Sequence, residues 1–238
     1  MSVGSAGTSG RRRGRVGVLR LDTRFERFAR DIGGTEGLPF DVVHETLPGV
    51  TALQATEGDE DILPDLVAAA GRLADRGVEV ITTSCGFLVL YQQALAACLP
   101  VPLISSSLLQ IPALARILPA RQKIGVLTFN GETLSSRHLL AAGAPADTPV
   151  SGLPHHGAFR ADILGGPPAT TEQRLEEARQ AMRHLLECNP AVVAVVAECT
   201  NIAPYSVTLA REFGVPVFDL VSQIEWFLSG LAGRKNGP

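Results

Sequence analysis

Residues 78–91 read VEVITTSCGFLVLY, and residues 192–205 read VVAVVAECTNIAPY. Each stretch opens as an apolar run of strand type and changes, across one cysteine, into a helix-start pattern. Val78, Cys85, Tyr91 and Pro102 recur as Val192, Cys199, Tyr205 and Pro216, each 114 positions later. VPLIS at 101–105 returns as VPVFD at 215–219 with that same offset, and GVL at 17–19 returns at 125–127, an offset of 108. A single match would be chance. A shared offset through strand, cysteine, helix and next strand describes two copies of one α/β unit, the second with a net insertion of six residues.

Outward from these stretches, strand-like runs alternate with helical patterns, which predicts two pseudosymmetric α/β domains with mainly parallel sheets flanked by helices. In the first half the expected elements are strands 16–20 and 41–46, helix 60–76, strand 78–83, helix 87–98 and strand 101–105. Ile62, Leu63, Leu66, Val67, Ala70, Leu73 and Ala74 form one stripe at helical period, and Gly77 stops that helix. The second half is expected to run through strand 123–129, helix 132–142, a Pro/Gly/His-rich loop, helix 171–188, strand 192–197, helix 202–213 and strand 215–219. The domain bounds that follow are a disordered tail over 1–15, an N-terminal domain over 16–120 and a C-terminal domain over 121–231. The last helix is free to pack back on the N-terminal domain. A ligand site is expected in the cleft between domains, since open α/β sheets bind ligands outside the carboxyl ends of their strands.

The net charge of −3 over 238 residues offers no basic field for nucleic acid or anionic lipid. Arg11, Arg12, Arg13 and Arg15 in the Gly/Ser-rich leader are the exception, and nucleic-acid contact through them is the lesser reading. No stretch approaches the roughly 20 apolar residues of a membrane span, so neither a nucleic-acid nor a membrane partner is expected, and the expected compartment is the cytoplasm. A homodimer or higher homo-oligomer stays open.

The four cysteines contain no C-x-x-C pair and no histidine at ligand spacing, so neither a metal nor a disulfide framework is expected. Cys98 and Cys188 lie three residues after Leu95 and Leu185, on what reads as the buried face of each helix. Cys85 and Cys199 instead stand at the carboxyl ends of equivalent strands, and if the two units face each other across a cleft, both thiols approach one ligand. Two thiols across a cleft suit proton transfer at carbon: one removes a proton from one face and the other donates to the opposite face, with no cofactor. The helix starts that follow them, Gly86 onward and Thr200-Asn201 onward, bring N–H donors that favour a thiolate. Oriented donors also stabilise the enolate-like charge that follows proton removal.

At these residues the sequence resembles the aspartate/glutamate/hydantoin racemase superfamily, which also holds maleate cis-trans isomerase and arylmalonate decarboxylase. The resemblance runs from about Arg15 to Leu231 and rests on the strand–Cys–helix element of both halves. ECTNIAPY is nearer the family's Gly-Cys-Thr motif than SCGF is to its first motif. The resemblance implies a cofactor-independent racemase or epimerase, an isomerase of amino acids, hydantoins or related carboxylates, with Cys85 and Cys199 as acid and base and Thr200 donating to the substrate carboxylate. It further implies that the loops after the first strand of each half, Leu21-Asp22-Thr23 and Thr128-Phe129-Asn130, line the cleft. Where amino-acid racemases of this group follow the first cysteine with Asn-Thr, Gly86-Phe87 stands here. That leaves Thr83, Ser84 and the Gly86 backbone as donors and makes a bulkier substrate such as a hydantoin plausible. The alternatives are a maleate-type isomerase, an arylmalonate-type decarboxylase, against which the presence of Cys85 weighs, and a bilobal module that binds a small molecule without chemistry.

The candidate site is therefore Cys85 and Cys199 as catalytic pair, with Asp22, Thr83, Ser84, Gly86, Phe129, Asn130, Thr200 and Asn201 around the substrate. Glu198, directly before Cys199, would raise a neighbouring thiol's pKa if it faced it. Ser105-Ser106-Ser107 and Asp219 end equivalent strands and read as caps of the next helix. His155-His156 lacks a third metal ligand and reads as exposed loop. Trp226 and Phe227 read as core.

Overall fold

The computed structural model describes residues 14–58 and 60–231. The tail expected over 1–15 lies outside the described residues but for Gly14 and Arg15, and Arg15 already belongs to the first strand. β1 (Arg15–Leu21), β2 (Asp41–Leu47), β3 (Val80–Thr83) and β4 (Leu103–Ile104) form one parallel sheet in the order β2-β1-β3-β4. β5 (Lys123–Thr128), β6 (Val150–Gly152), β7 (Val192–Ala197) and β8 (Val217–Phe218) form the second in the order β6-β5-β7-β8. The two orders are the same path walked twice, and helices flank both sheets.

The repeat holds at the level of single hydrogen bonds. Ile81 N–H donates to Pro102 O at 2.8 Å and Val195 N–H to Pro216 O at 2.9 Å. Ser84 N–H donates to Leu19 O at 2.9 Å, and Glu198 N–H to Leu127 O at 2.7 Å. Gly17 and Gly125, equivalent positions of the central strands, each lie under a helix. Their missing Cβ atoms would meet Leu73 and Val78 in one half, Leu185 and Val192 in the other.

Helix 63–75 buries Leu66, Ala69, Ala70 and Leu73 and begins with proline in its first turn, where no N–H is needed. Helix 171–188 starts in a capping box, Thr170 Oγ1 accepting from Gln173 N–H while the Gln173 side chain accepts from Thr170 N–H. The helices expected after each cysteine begin as 3-10 turns, 86–91 and 200–205, and become α-helical over 92–98 and 206–213. In the second, Pro204 cannot donate an α-helical bond at that point. The Pro/Gly/His-rich loop hides β6 and a short helix, 158–163. The helix expected over 132–142 is shorter, 136–141, and helices 52–57, 111–117 and 220–231 complete the described α-helices.

One apolar cluster joins the halves: Phe87, Val89, Leu108 and Ile111 pack with Ile124, Val126, Ala194 and Val196. Helix 220–231 buries Leu220, Val221 and Ile224 against Val16, Val18 and Val80 of the first half. Trp226, expected in the core, is 73 % exposed, because that helix turns Val221 and Ile224 inward and position 226 lies off their stripe; Phe227 is partly buried against the same cluster. Cys98 and Cys188, also expected in the core, are both exposed. Each is the last residue of its helix, where the apolar stripe has run past the packed layer. No described helix is long and apolar enough to cross a membrane.

Candidate active site

β1, β3, β5 and β7, the central strands of both sheets, end around one pocket. Leu21, Ser84, Phe129 and Glu198 line it from those ends, and both Cys85 and Cys199 open into it. The space measures about 450 Å³, its open mouth included, and Phe25, Phe87, Phe129 and Ile163 give it a mostly apolar wall.

Each cysteine caps its 3-10 turn with extended backbone, φ −145° at Cys85 and −68° at Cys199. The N–H groups of Phe87 and Leu88 approach the Cys85 sulfur and pull its pKa down, as that of Asn201 does at Cys199. Burial outweighs them, and the charge of Glu198 adds to it: the Cys85 thiol is pushed up to about 12 and that of Cys199 well above its ordinary value. Helix starts alone therefore do not make thiolates here. Cys85 remains half-buried while Cys199 is buried, and Cys199 Sγ donates to Asn201 Oδ1 at 3.7 Å.

The halves interlock at the residues flanking these thiols. Thr200, after the second cysteine, donates from Oγ1 to Ser84 O, before the first, at 2.9 Å. Gly86, after the first, lies against Glu198, before the second. A Cβ at 86 would collide with Glu198 Oε1 and stand 2.7 Å from its backbone oxygen. The missing side chain at Gly86 is thus the space in which a carboxyl group sits. Glu198 is 1 % exposed, accepts from Thr128 Oγ1 at 2.6 Å through Oε2, and leaves Oε1 without a partner. Burial pushes its pKa up to about 7, against the pull of Thr128.

Of the residues singled out from sequence, Ser84, Cys85, Gly86, Phe129, Cys199, Thr200 and Asn201 line this pocket, whereas Asp22, Thr83 and Asn130 do not. Asp22 accepts from Gly49 N–H at 3.3 Å. Thr83 donates to Ser105 O at 2.7 Å. Asn130 bonds Thr133 Oγ1 and Glu132 N–H in its own turn. Thr200's hydroxyl is engaged by Ser84, while Ser84 Oγ accepts from Leu21 N–H at 3.1 Å and has its own proton to give. Ser106 and Asp219 cap the elements after them, through Leu108 N–H and Ser222 N–H. His155 and His156 are exposed, and the described residues hold no group of three metal-ligating side chains.

Leu21 and Thr23, where the long loop between β1 and β2 begins, line the pocket, and sequence reading missed the residues farther along that loop. Arg27 lines the pocket, donates to Asp31 Oδ1 at 3.0 Å and to Thr23 Oγ1 at 2.8 Å, and lies 4.1 Å from the Phe25 ring centroid. Buried Asp31 also accepts from Asn201 Nδ2 at 2.6 Å, tying this loop to the second half beside Cys199. Farther back, fully buried Arg174 pairs with Asp162, donates to Glu26 O at 3.3 Å and stacks 4.0 Å from the Phe28 ring.

No family model matches the chain. Solved structures do. A sulfate-associated variant of arylmalonate decarboxylase superposes with a TM-score of 0.61 at 16% identity, covering 94% of this chain and 97% of that one. Allantoin racemase from Klebsiella pneumoniae gives 0.58 at 17% identity (94% and 91%), and glutamate racemase from Aquifex pyrophilus 0.54 at 19% (91% and 83%). The chain has the fold of the aspartate/glutamate/hydantoin racemase superfamily. At these identities the likeness to that superfamily is one of fold.

Curated relatives give a different activity. A dimethylsulfoniopropionate lyase of Durusdinium sp. clade D is 26% identical over 90% of this chain and 74% of its own length. Dimethylsulfoniopropionate lyases 7 and 6 of Emiliania huxleyi (strain CCMP1516) are 27% and 29% identical over 91% of this chain. The chain spans 67% and 59% of those two. These relatives, named as lyases, overturn the expectation of a racemase or other isomerase. The physical reason is that a two-thiol pocket provides for proton removal, the step common to both reactions, and does not by itself fix what the carbanion does next.

Proposed function

We propose that this chain is a lyase that cleaves dimethylsulfoniopropionate, or a sulfonium-bearing carboxylate of that size, into a thioether and an unsaturated acid. The observation that carries this reading is the alignment of relatives so named across about nine-tenths of the chain. The pocket's chemistry supports it. The substrate has an anionic end and a cationic end, and its leaving group departs as a neutral sulfide that needs no proton. Phe25, Phe87 and Phe129 are part of the aromatic lining against which a methylated cation would rest, with Arg27 already over one face of Phe25. Arg27, Ser84 and the backbone at Gly86 are the donors for a carboxylate.

Elimination begins with loss of a proton from the carbon beside the carboxylate. The geometry favours Cys85 as the base. It is the more open thiol, and two N–H groups face its sulfur. Cys199 keeps its proton, directed to Asn201 without substrate, and would turn it to the developing enolate. The C–H pair becomes the new double bond, and the carbon–sulfur pair leaves with dimethyl sulfide. The two reduced thiols fit the cytoplasm as the working compartment.

The test is incubation of the purified chain with dimethylsulfoniopropionate, with dimethyl sulfide read by headspace gas chromatography and acrylate by NMR. Equimolar products, lost in Cys85→Ser, are the expected result. Absence of both products from the folded wild-type protein sinks the reading.

A further inference from the structure

Elimination differs from racemisation in its proton balance. A racemase takes one proton and returns one, so its two thiols merely exchange roles. Elimination from a zwitterion gives an anion, a neutral sulfide and one free proton, so each turnover must carry a proton out of the pocket. A resting thiol must also be ionised before it can act, and both thiols here are held protonated by burial and by the charge of Glu198.

Resting on the lyase reading above, we propose that Glu198 is the proton acceptor that ionises the cysteine base and then carries the proton out of the pocket. The placement argues for it. Its carboxyl lies in the gap left by the missing Cβ of Gly86, one residue from Cys85, and its own backbone adjoins Cys199. Oε2 is fixed by Thr128, whereas Oε1 is buried and unpartnered, on a residue that lines the pocket. A buried carboxyl oxygen without a partner is unfavourable unless a ligand or a transferred proton uses it. Burial also brings its titration to about 7, near the working pH that suits a proton carrier. The titratable groups beside it are the two thiols, on which its charge acts, and Arg27 lines the same pocket from the loop after β1.

The steps balance. The S–H bond of Cys85 breaks and an O–H bond forms on Glu198. This transfer runs uphill in the empty pocket and is drawn forward by the substrate's cation, which favours the thiolate. The thiolate then takes the proton beside the carboxylate, dimethyl sulfide leaves with the carbon–sulfur pair, and Cys85 is a thiol again. Glu198 gives its proton to water, which accounts for the one released.

The experiment measures dimethyl sulfide release by the full chain from pH 5 to 9 in wild type, Glu198→Gln and Glu198→Asp, with circular dichroism to verify folding. Wild-type kcat should rise along an acid limb near 7. Glu198→Gln should lower kcat by about a hundredfold with KM nearly unchanged and abolish the limb, whereas Glu198→Asp should retain it. If Glu198→Gln fails to fold, the wild-type limb and the Asp variant decide: a limb that is absent, or that leaves the neutral range, overturns the proposal. A folded Glu198→Gln with wild-type kcat and limb overturns it alone, and a wild type that releases no dimethyl sulfide overturns the lyase reading with it.

Discussion

Cys85 and Cys199 each follow the third strand of a four-stranded parallel sheet, and each opens a 3-10 turn that runs into an α-helix. Their flanks differ. Before Cys85 stands Ser84, which bonds the backbone of its own half; before Cys199 stands Glu198, which reaches across to the other. After Cys85 comes a glycine that makes room, and after Cys199 a threonine that makes a bond. One fold delivers two thiols to one pocket with different neighbours, and in the proposed reaction those neighbours separate a base from a donor.

The most direct way to break this comparison is to remove the thiols one at a time. Cys85→Ser should lower dimethyl sulfide release by about 10³-fold or more, and Cys199→Ser by about 10- to 100-fold, the range of a positioned base against a positioned donor. Equal losses from steady-state kinetics would mean that the two ends are functionally alike. Next in size is the dependence of stability on pH. Glu198 titrates higher in the fold than in the unfolded chain, so its neutral form contributes stability at pH 4 that is lost as pH rises through about 7. Urea denaturation should show the wild type losing about 3 kcal/mol relative to Glu198→Gln between pH 4 and 8.

Gly86→Ala sharpens the packing side of the comparison. The added methyl meets both the carboxyl and the backbone oxygen of Glu198 and should lower stability by about 1–3 kcal/mol in chemical denaturation; the Gly86→Ala/Glu198→Ala double variant should recover only the carboxyl's part of that loss, since the backbone oxygen stays where it is. Thr200→Val removes the opposite bridge and leaves Ser84 O buried without its donor, at about 1–2 kcal/mol. The smallest effect belongs to Asp22→Ala. Its carboxylate bonds an exposed turn outside the pocket, so kcat/KM should stay within about twofold of wild type.

The duplicated plan could be read from sequence because it is written in spacing: a strand run, a cysteine and a following strand shift together by 114 positions. The thiol pair followed from that repeat. Arg27, Phe25 and Asp31 did not. They lie on a loop without periodicity, and the partner that fixes Asp31 is 170 residues away at Asn201. Cys98 and Cys188 misled because helical spacing tells which side a residue is on, not whether the packed layer extends that far. The reaction misled for a chemical reason, since racemisation and elimination share an opening proton removal and part over whether the carbanion is then reprotonated or expels a leaving group.

The fit of Glu198 into the gap at Gly86 also restricts how such a molecule can change over generations. The two positions come from different halves, so neither copy of the duplicated unit could have acquired this arrangement on its own. Glycine at 86 is tolerated with a small residue at 198, but a glutamate arriving opposite a side chain at 86 meets a collision. Any stepwise mutational route therefore installs the glycine first and the acid second, and the way back runs in the reverse order.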